Sequence, residues 1–211
     1  MTALPVRLSG VSCRYGRHPA VLSADLDVPA GQRVALVGTN GSGKSTLLRA
    51  VLGFQPVASG TVEVGGVVAR TSAQWRARRA AVGWIPQVRS SGRFPLLLDE
   101  LLASGGDLAA ARSAADRLGL GGLGGRGVHT LSGGQVQRAW LARAVGCVAA
   151  GAGVLLADEP TAALDFAGQD EAAAVLAGLP VTVVVATHDR AVVRVCDRVV
   201  EMAAGQLREA T

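Results

Sequence analysis

The run Gly38-Thr39-Asn40-Gly41-Ser42-Gly43-Lys44-Ser45 sets glycines around a lysine and closes on a hydroxyl, with Thr46 beside it. Glycines let backbone N–H groups turn inward around an anion. Arg33 to Val37 reads as a buried strand before the run, and Ser45 to Leu52 reads as a helix after it, closed by Gly53. The run therefore opens a helix, whose N-terminal dipole favours negative charge. In that setting Lys44 reaches the outer phosphates of a nucleotide and Ser45 binds Mg²⁺. Lysine and arginine total 21, yet Lys44 is the sole lysine. A chain that uses arginine for its other positive charges keeps the compact ammonium where a planar guanidinium does not serve, inside a tight phosphate cradle.

Val154-Leu155-Leu156-Ala157 reads as a buried strand that ends in two adjacent carboxylates, Asp158 and Glu159. Successive strand residues point opposite ways, so one acid is expected at a metal and the next at a water. Asp158 would hold Mg²⁺, and Glu159 would polarise the attacking water. Leu131-Ser132-Gly133-Gly134-Gln135 opens another helix, and Ser132 with Gln135 fits a capping box. Two glycines in a first turn weaken a helix. They make sense where a phosphate approaches the backbone N–H groups. Since one phosphate cradle already serves this chain's own nucleotide, the second points to a nucleotide held by another subunit.

Lys44, Gln87, Leu131 to Gln135, Asp158-Glu159, Ala163-Leu164-Asp165 and His188 occur in the order and rough spacing of ABC ATPases, and the chain resembles that family from Tyr15 to Gln206. The Ser-Gly-Gly-Gln segment is specific to it among phosphate-loop families. The resemblance implies an ATP-binding transporter subunit, with ATP and Mg²⁺ as cofactors. By the same resemblance Tyr15 stacks on adenine, and Gln87 touches Mg²⁺ and links the core to a helical arm. Ser132, Gly133, Gly134 and Gln135 close over the partner's ATP. Asp165 communicates across the dimer, and His188 contacts the γ-phosphate. Glu159, His188 and Lys44 are the catalytic set. Thr39 stands where many members have proline, a tolerable departure because that position is not a phosphate ligand. The short, glycine-rich arm loosely resembles importers, including those for zinc or manganese.

Positioning these residues calls for an α/β fold. Thr61 to Val68 alternates around Gly65-Gly66 as a hairpin, Ala81 to Ile85 and Val181 to Ala186 read as strands, and Arg198 to Met202 is expected as the last strand. Leu96 to Leu102 and Leu108 to Leu118 have helical spacing, and Gly119 to Gly127 reads as a flexible connector. With the resemblance, the expected fold is a phosphate-loop NTPase core of the RecA-like, ABC ATPase kind. It carries an N-terminal antiparallel β subdomain and an inserted helical subdomain. A single domain would span 1–211, with the core at about 1–87 and 131–211 and the arm at about 88–130.

Hydrophobic residues make up 49% and the net charge is +5, but the arginines are scattered, apart from Arg76, Arg78 and Arg79. Scattered charge is a solvated surface rather than a nucleic-acid footprint. Cys13, Cys147 and Cys196 are odd in number and lack metal-ligand spacing. The N-terminus shows no basic-then-apolar signal pattern. The longest apolar stretch, Ala144 to Ala157, is 14 residues with three glycines, against about 20 needed to span a bilayer. The expectation is a cytoplasmic subunit held at the inner face of the membrane by an integral-membrane permease. It would pair with a second ATPase subunit, by default an identical copy, and, in an importer, with a substrate-binding protein. The region from Phe94 to Leu102 is the expected permease contact. Two other classes compete: an ABC ATPase acting on nucleic acid or ribosomes, and a small-molecule kinase, which leaves Ser132 to Gln135 unexplained.

Overall fold

β1 (Val6–Tyr15) and β2 (His18–Val28) form an antiparallel pair whose inward residues alternate, with Val6 opposite Val28 and Leu8 opposite Leu26. β3 (Arg33–Val37) leads into α1 (Lys44–Leu52). β4 (Ser59–Val64) adds antiparallel to β1 and turns through Gly65-Gly66 into the short β5 (Val67–Val68), the hairpin expected there. Together β2-β1-β4-β5 make the antiparallel sheet expected near the N-terminus. The computed structural model describes residues 2–87 and 95–210, so Phe94 lies outside the described residues.

The second sheet runs β10-β9-β3-β8-β7-β6, with β6 (Val82–Ile85), β7 (Val154–Asp158), β8 (Thr182–Ala186) and β9 (Arg198–Ala203) parallel to β3. β9 is not the last strand: β10 (Gln206–Glu209) returns antiparallel beside it, with Arg198 and Glu209 ion-paired across the two strands. Its Gln206-Leu207-Arg208-Glu209 carries one apolar residue, too few for alternation to reveal it.

β7 is buried on both faces, as parallel strands are. Its side chains alternate between two cores. Val154 and Leu156 join Val6, Leu36, Leu47 and Met202 between the two sheets and α1. Leu155 and Ala157 join Ile85, Leu141 and Leu176 on the opposite side. That side is covered by α5 (Gly133–Ala149) and α6 (Phe166–Ala177). The apolar stretch Ala144 to Ala157 is thus the end of α5, a turn and β7. Among the described residues no helix is long and apolar enough to cross a membrane.

α3 (Leu98–Ala103) and α4 (Leu108–Arg117) pack Leu98, Leu102, Ala111 and Ala115 onto the same core as α5. The glycine-rich segment after α4 is not a free connector. Leu120 is buried, and the backbone N–H groups of Leu98 and Asp99 donate to the carbonyls of Arg126 and Gly124. A bidentate Arg112–Asp99 pair, at 2.7 and 3.0 Å, ties α4 to α3 and holds the Asp99 carboxyl below its usual range.

The arginine cluster falls on α2 (Ser72–Ala81), capped by Thr71 and Gln74. Arg78 is interior: its guanidinium donates to the carbonyls of Val62 (2.9 Å) and Val67 (2.6 Å) and lies over Trp75. Burial lowers its pKa. One of the three charges is thus a structural brace and not part of a basic surface.

Candidate functional site

The residues singled out in the sequence lie at the carboxyl ends of parallel strands, where open α/β sheets bind ligands. The glycine run follows β3, Gln87 follows β6, Asp158 ends β7 and His188 follows β8. Since β8 separates β3 from β7, one sheet edge gathers segments more than a hundred residues apart.

The turn from β3 into α1 is set by Gly43, at φ 114°, a left-handed conformation that glycine tolerates and that begins the helix without a side-chain cap. The first-turn N–H groups are thereby left for an anion. Lys44 is only 7% exposed, and its Nζ donates to the carbonyls of Gly38 (2.6 Å) and Thr39 (3.1 Å). An ammonium has three N–H donors, so one remains for the cavity.

Ser45 Oγ donates to Asp158 Oδ1 at 2.9 Å. Glu159 does not continue the strand. Its φ is 51°, a left-handed value that strains any residue with a side chain, and its N–H is held by the Ala186 carbonyl at 2.8 Å. The simple alternation expected of the two acids therefore fails, and both carboxylates line one cavity. Asp158 and Glu159 are 1% and 6% exposed, so their charges act with little solvent screening. His188 Nδ1 stands 2.9 Å from Glu159 Oε2, while no well-aligned hydrogen bond reaches that oxygen.

The cavity, about 480 Å³, runs from Tyr15 through Asn40, Gly41, Ser42, Gly43, Lys44, Ser45 and Thr46 to Gln87, Asp158 and Glu159. Tyr15 is half-exposed, with its hydroxyl 3.5 Å from Thr46 Oγ1. The cavity's hard oxygen donors and a cationic nest fit a Mg²⁺-bound triphosphate: Ser45, Asp158 and the Gln87 amide supply oxygens of the type Mg²⁺ takes. Pro19, Ala20 and Arg49 also line it. Arg49 is one turn beyond Ser45 on α1, a spacing visible in the sequence. Pro19 and Ala20 arrive through the β1–β2 hairpin and carry no sequence signal.

Gly38 and Thr39 contribute carbonyls to Lys44 rather than cavity wall. Ser132 to Gln135 lies outside the cavity and forms the expected capping box, with Gln135 N–H donating to Ser132 Oγ (3.2 Å) and Ser132 N–H to Gln135 Oε1 (2.9 Å). Its glycines also have a packing reason that the sequence did not reveal. A Cβ at Gly134 would stand 3.2 Å from the Ala163 carbonyl. Asp165 caps α6, accepting from Gly168 N–H at 2.9 Å. His188 borders an adjoining cavity with Phe166 and Arg190.

Fold and site together define an ATP-binding cassette: a phosphate loop and a paired-acid strand end on an α/β core with a helical arm. The chain belongs to the ABC transporter family, whose profile matches residues 21–162. It is similar to the methionine import ATP-binding protein MetN of Caulobacter vibrioides, 39% identical across 92% of this chain and 62% of that protein. It is also similar to the phosphonates import ATP-binding protein PhnC of the same organism, 37% identical across 98% of this chain and 88% of that protein. The manganese transport system ATP-binding protein MntB of Bacillus subtilis is 32% identical, across 88% of this chain and 77% of that protein. The chain thus spans less than two thirds of MetN but most of PhnC and MntB. Among solved structures, the ATP-binding cassette MJ0796, a dimer bound to ADP and Pi, superposes with a TM-score of 0.84 at 25% identity, covering 97% of this chain and 98% of that one. A bacterial Atm1-family ABC exporter with ATP bound gives 0.83 at 26% identity, covering 98% of this chain and 38% of that one.

Proposed function

We propose that this ABC ATPase works as a pair of identical copies that enclose two ATP molecules and drive a separate membrane permease. One observation carries the reading: Lys44, Ser45, Asp158 and Glu159 converge on one cavity, whereas Ser132 to Gln135 presents a helix start outside it. A helix start of that kind suits a phosphate held by a second copy. Lys44 and the first-turn N–H groups would hold the phosphates, and Tyr15 the adenine. Mg²⁺ held by Ser45, Asp158 and Gln87 supplies charge neutralisation on the phosphate oxygens. Glu159 would take a proton from the attacking water, with His188 beside it. Phosphoryl transfer needs positioning and charge stabilisation more than covalent work by the protein.

Support for transport comes from relatives named as import ATP-binding proteins, and an export relative of Paracoccus denitrificans named as an ATP-binding/permease protein. A place on the inner face of the membrane, through the permease, follows from that role. Treating residues 1–211 as one ATPase domain, with its core and arm, fits the same reading. So does a binding protein if the system imports.

The test is Glu159→Gln. The variant should bind MgATP and form dimers but lose turnover by about 10²–10⁴-fold, the usual contribution of a general base. Turnover at the parent rate would remove Glu159 from this role.

A further inference from the structure

Gln55 is a buried polar side chain, 8% exposed, that does not line the nucleotide cavity. Its backbone is fixed from both sides. Gly53 ends α1 in a left-handed conformation (φ 75°), and the N–H groups of Phe54 and Gln55 both donate to the Arg49 carbonyl, at 2.8 and 3.2 Å. Pro56 follows, and a proline restricts the backbone of the residue before it. From this anchored position Gln55 Nε2 donates to the Arg14 carbonyl at 3.2 Å.

That carbonyl is one that β4 does not reach. β4 begins at Ser59, opposite Ser12 of β1, and the Ser12 carbonyl accepts the Ala58 N–H at 2.8 Å. The strand has no residue to set opposite Arg14, and the Gln55 amide supplies the donor there. On the other side of β1 the register against β2 shifts between Cys13 and Arg14, and such irregularities locally disrupt the ladder. Arg14 is the residue before Tyr15, whose side chain walls the cavity. The Tyr15 hydroxyl in turn stands 3.5 Å from Thr46 Oγ1 in the first turn of α1. One helix therefore carries Lys44 and Ser45 at its start, meets the Tyr15 hydroxyl through Thr46, and reaches the Arg14 carbonyl from just beyond its end.

We infer that Gln55 is a positioning residue for the base end of the nucleotide site: its amide holds Arg14, and through it the Tyr15 ring, at a set distance from the phosphate loop. The inference rests on the reading of Tyr15 as the adenine contact and adds a residue to it. Stacking depends on how the ring meets its partner, so a ring that drifts loses affinity for the base. The phosphate cradle is built by the glycine run and Lys44, and keeps its own affinity. Gln55 acts only through Tyr15, since its side chain is not part of the cavity wall.

The experiment uses the full chain and compares MgADP with magnesium pyrophosphate, which lacks the adenosine, by isothermal titration calorimetry. Tyr15→Ala should raise the Kd for MgADP by about five- to 100-fold. Gln55→Leu, similar in size but without the donor, should raise it by about three- to tenfold, the worth of one hydrogen bond. Gln55→Glu, which turns an acceptor toward the carbonyl, should raise it by at least as much. Neither Gln55 variant should change the Kd for pyrophosphate, whereas general damage to α1 would weaken both ligands alike. In a Tyr15→Ala background Gln55→Leu should add nothing to the loss. A Gln55→Leu chain that binds MgADP like its parent overturns the inference, as does equal weakening of both ligands or a full further loss in the Tyr15→Ala background. A Tyr15→Ala chain that binds MgADP as tightly as its parent is a different result, which removes Tyr15 from the base and the inference with it.

Discussion

Replacing Lys44 by alanine tests the phosphate cradle most directly. The ammonium is 7% exposed and spends two donors on the Gly38 and Thr39 carbonyls. A phosphate contact from the remaining donor is charged at both ends and little screened, so its loss should cost about 1.5–3 kcal/mol. The upper part of that range raises Kd about 100-fold. Wild-type protein with MgATP at 100 times its Kd gains about 2.7 kcal/mol. For a chain of 211 residues, that corresponds to a Tm rise of about 5–10 °C. At the same nucleotide concentration Lys44→Ala gains only about 0.4 kcal/mol, a rise of about 1–2 °C. The assay is differential scanning fluorimetry with and without MgATP for each chain, so any change in nucleotide-free stability cancels. Lys44→Arg should behave like alanine, because a planar guanidinium does not fit the ammonium's enclosed slot. No other lysine exists to substitute for it. An undiminished MgATP shift in Lys44→Ala refutes the reasoning, and with it the assignment of this loop to phosphate.

Two further predictions concern the frame around the site. Arg78→Ala leaves the Val62 and Val67 carbonyls without their donor and opens space under Trp75; urea unfolding should show a loss of about 2–4 kcal/mol. Burial pushes the Cys196 thiol up to about 11 from 9.0. At pH 8 its alkylation in the folded chain should be about 100-fold slower than that of an unperturbed thiol, as read by mass spectrometry. The folded form holds that proton more tightly than the unfolded chain, so Cys196 contributes stability below pH 9 that fades as pH rises toward 11. Alkylation at the rate of a free thiol would contradict this.

The candidate groups were legible in the chain because they sit in short, local patterns. The glycine run with its sole lysine, the strand ending at Asp158-Glu159 and the Ser132–Gln135 helix start each announce themselves within a few residues. Local pattern also located β3, α1, the β4–β5 hairpin and β7 to within a residue or two.

What depended on distant partners was not legible. β10 exists because β9 offers it an edge, not because its own four residues alternate. Arg78 looked like surface charge until two strand carbonyls came within reach of its guanidinium. The segment after α4 looked loose because its ties to Leu98 and Asp99 are backbone hydrogen bonds, which composition does not encode. Glu159 was placed by an alternation rule that its left-handed φ breaks, and only the fold supplies the Ala186 carbonyl that holds the turn. Sequence alone therefore determined which groups are available, since residue identity and local spacing carry that information. Only the tertiary structure decided which of them share a cavity, because that depends on the order of strands in the sheet.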